Sequence, residues 1–213
     1  MTRRFDCSDP SERAAGLREA VAAVRRGELV VLPTDTVYGV GADAFVPEAV
    51  ARLLAAKGRG RNMPSPVLVG SPEGLDELVE VTERTRALVA AFWPGGLTVV
   101  ARHLPSVELD LGETGGTVAV RMPAHPVAVE LLNATGPLAV SSANLTGKDS
   151  PQDCDAAQEM LGDSVAVYLD GGRTEAAVGS SIVDVTGEVP VLLRAGAISA
   201  ERLREVVPDL RER

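Results

Sequence analysis

The sequence predicts a mixed α/β fold in which helices flank a sheet of parallel and antiparallel strands. Two patterns support this: short apolar strand segments are interspersed with amphipathic helices, yet several strands follow each other without an intervening helix. Of the 213 residues, 45% are hydrophobic, which is enough to bury a substantial core. Because no segment resembles an interdomain linker, we expect one domain over residues 1–213.

The first predicted helix has the clearest boundaries. Asp9 stands at its N-cap, Pro10 at its first position, and Glu12 where a capping box needs a carboxylate. Apolar residues follow at helical spacing, and Gly27 ends the run. Further helices are expected at residues 47–57, 83–92, 127–134, 153–161 and 200–207.

Short apolar runs predict the strands of the sheet. The first lies at residues 29–32, directly before Pro33. The others are expected at residues 66–69, 97–101, 118–121, 138–141, 165–169, 182–185 and 189–193. The polar tail at residues 209–213 is expected to be frayed.

The composition argues against several classes of function. A formal net charge of -9 disfavours non-specific nucleic-acid binding, which needs a surplus of Lys and Arg. No apolar run approaches the ~20 residues that span a bilayer, so a cytoplasmic protein is the plain interpretation. No metal site is expected, because the chain offers few soft or imidazole ligands: Cys7, Cys154, His103 and His125.

Two polar or glycine-rich segments follow the first strand. Residues 33–39, PTDTVYG, can present threonine hydroxyls to a small polar ligand, although an ordinary strand-to-turn transition explains them equally well. Residues 39–44, GVGADA, match the dinucleotide-binding fingerprint in form only. That fingerprint joins a strand directly to a helix, whereas a polar loop intervenes here and the helix begins at Pro47. A Rossmann site is therefore disfavoured.

Residues 57–62, KGRGRN, give the strongest indication of a binding site. Three cations and two glycines come directly after a predicted helix. Lys57 is one of only two lysines, against 19 arginines. The cations would complement the helix dipole in any case, but glycines that let the backbone approach a ligand favour a phosphate site.

Polar groups recur at the ends of other predicted strands. Alternation places Thr117 and Arg121 on one strand face, residues 141–147 are dense in hydroxyl and amide groups, and residues 179–181 and Arg194 repeat the pattern. Each segment alone has an ordinary structural explanation. Their recurrence favours a shared pocket for an anionic ligand.

These motifs together resemble the YrdC family of threonylcarbamoyl-AMP synthases over residues 29–196. Residues 33–39 look like the family's threonine-site motif, and residues 57–59 and 142–144 look like its KxR and SxN tetrad. Further similarities follow in the family's order at residues 92–98, 117–121, 150–151, 180 and 193–196. The resemblance implies a twisted mixed sheet with a basic concave cavity, and no second C-terminal domain is expected.

The resemblance also implies an activity. It indicates a nucleotidyltransferase, L-threonylcarbamoyladenylate synthase, that makes threonylcarbamoyl-AMP and pyrophosphate from L-threonine, bicarbonate and ATP. ATP is a substrate, and Mg2+ is expected to arrive with it. The product would serve threonylcarbamoyladenosine modification of tRNA through downstream threonylcarbamoyl-transferase proteins, with tRNA contact left open.

By position, the resemblance assigns roles to eleven residues. The threonine is expected at Thr34, Arg121 and Ser180 and at the backbone of Val140. ATP is expected at Arg59, Thr117, Ser142, Ser150 and Arg194. The catalytic tetrad is Lys57, Arg59, Ser142 and Asn144.

The chain departs from the family pattern at two glycines. Gly60 replaces the usual proline after the KxR motif, in a loop about two residues longer, and Gly70 replaces a histidine common at the end of the next strand. Two alternatives stay open: an RNA-binding module without synthase activity, and an enzyme that adenylates a different carbamate.

Overall fold

The computed structural model describes residues 2–174, 176 and 178–213. Within these residues the chain forms eleven strands, seven α-helices and one 3-10 helix at Gly162–Ser164. The strands are β1 (Arg3–Asp6), β2 (Val30–Leu32), β3 (Gly39–Asp43), β4 (Val67–Leu68), β5 (Leu97–Arg102), β6 (Thr117–Arg121), β7 (Leu138–Ser142), β8 (Val167–Asp170), β9 (Ser181–Asp184), β10 (Val191–Arg194) and β11 (Arg211–Glu212). The helices are α1 (Pro10–Arg25), α2 (Pro47–Ala56), α3 (Glu73–Asp76), α4 (Glu83–Phe92), α5 (Pro126–Thr135), α6 (Cys154–Leu161) and α7 (Ala200–Arg204).

The strands form one mixed sheet in the order β1-β8-β2-β3-β7-β4-β6-β5-β9-β10-β11. The sheet combines parallel pairs such as β4 with β6 and β5 with β9 with antiparallel pairs such as β3 with β7 and β5 with β6. The predicted mixed sheet flanked by helices is therefore confirmed. No helix in the described part of the chain combines the length and the hydropathy that a membrane span needs.

The two faces of the sheet bury different clusters. One face carries the larger core, which includes Val99, Val120 and Val183 from three neighbouring strands. On the other face, α1 and α5 cover β8, β2, β3 and β7 and bury residues such as Leu32 and Leu138. No described residue of β6, β5 or β9 belongs to this second cluster, and residues of these strands line a cavity instead.

Several local predictions need correction. Asp9 caps α1 by accepting from the amides of Ser11 and Glu12, but Glu12 accepts from the amide of Asp6, so the capping box does not form. The tail is not frayed throughout, because β11 pairs with β10 and Arg211 N donates to Pro190 O at 2.9 Å. Strand β1 and helix α3 lacked a sequence pattern long enough to predict them.

The glycine-rich segment at residues 39–44 is mostly strand β3, in the interior of the sheet. Its glycines accommodate a side chain from the neighbouring strand β7. A Cβ at Gly39 would lie 2.6 Å from Val140 Cγ1, and one at Gly41 would lie 3.2 Å from Val140 Cγ2. The glycines therefore make room for Val140, and the disfavoured Rossmann interpretation is not needed to explain them.

We predict that Gly39→Ala lowers the free energy of unfolding by about 1–3 kcal/mol, because the added methyl overpacks against Val140. Urea denaturation of Gly39→Ala, Val140→Ala and the double variant measures this. The double variant should lose less than the sum of the two single losses, since Val140→Ala removes the clashing atom. Gly187→Ala is the control, because its Cβ would approach nothing closer than 3.9 Å. Strict additivity would contradict the packing account.

Candidate active site

The structure contains a cavity of about 460 Å³ beside strands β5, β6 and β9. Ala119 of β6, Val100 of β5 and Ile182 of β9 form part of its lining, and they point away from the larger core. Three arginines also line the cavity, whereas its described lining contains no Asp or Glu. Most of the residues assigned by position line it as well: Thr34, Arg59, Arg121, Val140, Ser142, Ser150, Ser180 and Arg194. Lys57, Thr117 and Asn144 do not.

Arg121 ends strand β6 and is only 6% exposed. Its Nε donates to the carbonyl of Gly95 at 2.9 Å, Nη1 to Thr36 Oγ1 at 2.8 Å, and Nη2 to Asp35 Oδ1 at 2.7 Å. Burial lowers the pKa of Arg121, and the ion pair with Asp35 opposes that shift. A guanidinium has five N–H groups, so two remain for a ligand.

The loop between β2 and β3 is held by the hydroxyl of Thr34. Thr34 Oγ1 donates to the carbonyl of Val37 at 2.6 Å and accepts from the amides of Thr36 and Val37 at 3.1 and 3.2 Å. It also lies 3.1 Å from Thr36 Oγ1. A hydrogen-bonded chain thus connects Arg121 through Thr36 to Thr34.

Arg194 and Ser180 form a second cluster on the cavity wall. Arg194 donates from Nε and Nη2 to the carbonyl of Ser180 at 3.0 and 2.8 Å, and from Nη2 to Ser180 Oγ at 3.1 Å. Ser180 Oγ is also 2.7 Å from Thr98 Oγ1. Burial lowers the pKa of Arg194, and no carboxylate in the described residues forms an ion pair with it. Its charge is therefore not neutralised.

Arg59 follows the end of α2 by three residues and lines the cavity. Its Nη1 donates to Ser141 Oγ at 3.0 Å, while its buried Nε has no partner among the described residues. Burial lowers the pKa of Arg59. A buried N–H without an acceptor raises the free energy of the folded protein. An anionic ligand that accepts a hydrogen bond from Arg59 Nε would remove this cost and bind more tightly as a result.

Lys57 and Asn144 lie behind the cavity wall and hold the loop after β7. Lys57 is 3% exposed, and its ammonium donates to the carbonyl of Ser142 and to that of Asn144, the latter at 2.7 Å. The amide of Thr146 donates to Lys57 O at 2.9 Å, and Asn144 Nδ2 donates to the carbonyls of Leu145 and Lys148. Lys57 therefore fastens this loop from two sides.

Thr117 is the other assigned residue outside the cavity lining. The predicted alternation of β6 is confirmed, since Ala119 and Arg121 face the cavity while Val118 and Val120 enter the larger core. Thr117 begins the strand, and its hydroxyl donates to the carbonyl of Thr114 at 2.8 Å. It therefore lies on the correct face but beyond the cavity.

Several residues of the site were not assigned from the sequence: Asp35, Thr36, Thr98 and Ser141. Each orients another side chain rather than standing out by its own chemistry. Asp35 and Thr36 belong to the segment already singled out at residues 33–39, so the signal for them was present. Ser141 begins the polar segment at residues 141–147, and Thr98 ends the segment at residues 92–98, so both also lie in segments that the sequence singled out. Only the tertiary structure shows that Thr98 lies beside Ser180 and Ser141 beside Arg59.

Comparison with known proteins shows the family. A model named for Sua5, YciO and YrdC, and described as "Telomere recombination", matches residues 22–196. The chain belongs to the Sua5/YciO/YrdC family.

Relatives and solved structures agree with this family. A Mycobacterium tuberculosis relative, provisionally named threonylcarbamoyl-AMP synthase, is 55% identical over 97% of this chain and 96% of its own length. A Bacillus subtilis threonylcarbamoyl-AMP synthase is 36% identical over 97% of this chain and 59% of its own length. The structure of Pyrococcus abyssi Sua5 complexed with L-threonine aligns with a TM-score of 0.92 and 35% identity, covering all of this chain and 62% of that one.

The two departures from the family pattern have different structural settings. A Cβ at Gly70 would lie 2.3 Å from Asn133 Oδ1 and 2.9 Å from Asn133 N, so a histidine there requires a shift of α5. A Cβ at Gly60 would meet Asn62 Oδ1 at 2.6 Å, which is the end of a flexible side chain. Asn133 thus occupies the space of the missing histidine, and the loop at Gly60 is less constrained.

Lys57 provides a prediction about pH. Burial, with a smaller contribution from Arg59, lowers the pKa of Lys57 from 10.5 to about 8. Between these two values the unfolded chain binds more protons than the folded protein, so this group makes stability rise as the pH increases. The free energy of unfolding of the wild type, relative to Lys57→Met, should therefore increase from pH 8 to pH 10. Urea denaturation of both proteins tests this, and parallel pH profiles would contradict it.

Proposed function

We propose that this protein is an L-threonylcarbamoyladenylate synthase, which makes threonylcarbamoyl-AMP and pyrophosphate from L-threonine, bicarbonate and ATP. The observation that carries the proposal is a cavity with three arginines and no acidic side chain in its described lining. All three substrates bring anionic groups to such a cavity. The family membership and the names of the relatives support this particular activity.

We assign the threonine to the side of the cavity around Arg121. The two remaining N–H groups of the Arg121 guanidinium suit the carboxylate of the substrate, because a carboxylate can accept two parallel hydrogen bonds from a planar guanidinium. Thr34 shapes the adjoining turn, and Ser180 offers a hydroxyl in the same cavity. The amide of Val140 already donates to Pro66 O at 2.8 Å, so its carbonyl is the backbone group left for the substrate.

We assign ATP to Arg59 and Arg194. Both cations have neutral partners, a hydroxyl for Arg59 and a carbonyl and a hydroxyl for Arg194, so both keep their charge for phosphates. Ser142 and Ser150 add polar groups to the cavity lining. Thr117 lies outside the lining and needs a closer approach of its loop to contact the nucleotide.

The reaction proceeds in three steps. Bicarbonate takes up a proton and loses water, which gives CO2. The threonine nitrogen then bonds to the carbon of CO2 and loses a proton, which gives a carbamate. A carbamate oxygen then attacks the α-phosphorus, and pyrophosphate leaves with the electrons of the broken P–O bond. The arginines hold the anionic reactants together and stabilise the charge on the transferring phosphate, so no side chain has to become a covalent nucleophile.

Within the tetrad we assign two kinds of role. Arg59 and Ser142 face the reacting groups. Lys57 and Asn144 hold the loop that carries Ser142. Mg2+ would enter as part of the metal–ATP substrate, since no group of three potential side-chain ligands occurs in the described residues. No step is assigned to the ion.

The product is a mixed anhydride, which must be consumed by transfer of its threonylcarbamoyl group to a nucleophile with release of AMP. We propose that threonylcarbamoyl-transferase proteins use it on tRNA in the cytoplasm. Direct contact of tRNA with this chain is not required by the chemistry of the cavity.

Mass spectrometry of a reaction with ATP, bicarbonate and threonine tests the function. We expect threonylcarbamoyl-AMP, together with pyrophosphate release that depends on both threonine and bicarbonate. Omission of either substrate is the control. RNA binding without pyrophosphate release would instead support a binding module, and would overturn the proposal.

Arg121→Lys should raise the KM for threonine on the order of a hundredfold, although it keeps the charge. A lysine ammonium has three N–H groups, and the three protein acceptors around Arg121 would use all of them. The KM for ATP should change little. Steady-state pyrophosphate release measures both constants, with the exposed Arg86→Lys as the control. A threonine KM within threefold of wild type would contradict the assignment.

A further inference from the structure

The guanidinium of Arg121 is oriented by two loops that come from different parts of the chain. Gly95 lies between α4 and β5, and Asp35 and Thr36 lie between β2 and β3. Each of these three residues supplies one acceptor, and each acceptor binds a different nitrogen of the guanidinium. The guanidinium plane is therefore fixed by three contacts, and the directions of its two remaining N–H groups follow from that plane.

Asp35 differs from the other two acceptors because it is itself held on a second side. Its Oδ1 accepts from Arg121 Nη2 at 2.7 Å and also from the amide of Ala124 at 2.9 Å. Ala124 follows Arg121 by three residues, so the carboxylate bridges the β2–β3 loop to the segment directly after β6. Asp35 does not line the cavity.

We propose that Asp35 is a positioning residue for amino-acid recognition: it fixes the plane of the Arg121 guanidinium so that two N–H groups face the substrate carboxylate. This inference rests on the proposed function. It assigns the effect of Asp35 on threonine binding to the position of one carboxylate oxygen, Oδ1. It does not assign the effect to a contact with the substrate or to the negative charge.

Both hydrogen bonds of Asp35 end on the same atom, Oδ1. An asparagine can keep that oxygen in place, so that it accepts both hydrogen bonds. It loses the negative charge, because an NH2 group replaces the other carboxylate oxygen. An alanine loses both bonds. The pair of variants therefore separates position from charge.

The experiment measures kcat and the KM values for threonine and ATP in Asp35→Ala and Asp35→Asn. Misplacement of a binding group by about 1 Å can cost up to about a hundredfold, so Asp35→Ala should raise the threonine KM by roughly 10- to 100-fold. Its ATP KM should stay within about threefold of wild type. Asp35→Asn should stay within about threefold of wild type for both substrates.

Asp43→Ala provides a matched control. Asp43 is also a partly buried aspartate that accepts from a backbone amide near the end of a strand, here Phe45 N at 2.9 Å, but it lies at the far end of β3. It should alter thermal stability without a selective change in the threonine KM. Thermal melts of all variants show whether stability and KM change together.

Each outcome has a definite meaning. A wild-type threonine KM in Asp35→Ala, or equal losses for threonine and ATP, would overturn the positioning role. An Asp35→Asn variant as impaired as Asp35→Ala would show that the charge matters and would also overturn it. A wild-type protein that makes no threonylcarbamoyl-AMP would instead refute the proposed function, which this comparison distinguishes.

Discussion

Burial of the Arg121 guanidinium constrains the site more than any other interaction. A buried cation is costly unless its donors are paired, and this one is 6% exposed at the end of a strand within the sheet. Its carbonyl, hydroxyl and carboxylate partners come from two separate loops. Those loops must therefore lie beside the end of β6, and the hydrogen-bonded chain through Thr36 carries the same constraint to Thr34.

The other two cavity arginines follow a different rule. Arg121 is paired with a carboxylate, whereas Arg59 and Arg194 are held by neutral oxygens. Neutral partners orient a guanidinium without cancelling its charge. This explains how a chain with a net charge of -9 can still present unneutralised cations to an anionic ligand. Such local arrangement matters more for recognition here than the overall charge.

The loop after β7 shows how the fold builds the remaining wall. Lys57 donates to carbonyls of this loop and accepts from one of its amides, so the end of α2 and the loop form one unit. The tetrad thus contains residues at two depths. Arg59 and Ser142 are exposed to the cavity, and Lys57 and Asn144 lie behind them. Loss of Lys57 would therefore affect the shape of the wall as well as its charge.

The fold class, most of the strands and helices, and the segments that contain the site could all be predicted from the sequence. Apolar runs of fixed periodicity and the Asp9–Pro10 helix start are local signals, so they could be recognised without tertiary contacts. Short edge elements such as β1 and β11 could not, because they form through pairing with strands distant in the chain. The same holds for Gly39 and Gly41, which only the packing of Val140 explains.

For the site, the order of the motifs assigned eleven residues to one pocket. It could not show which of these side chains line the cavity and which lie behind its wall. Whether a side chain faces the cavity depends on the pairing of strands and on which half of the sheet the helices cover. Lys57 and Arg59 are two residues apart, yet one lies behind the wall and the other faces the cavity. This difference follows from tertiary contacts, because the hydrogen-bond partners of both side chains lie more than eighty residues away in the chain.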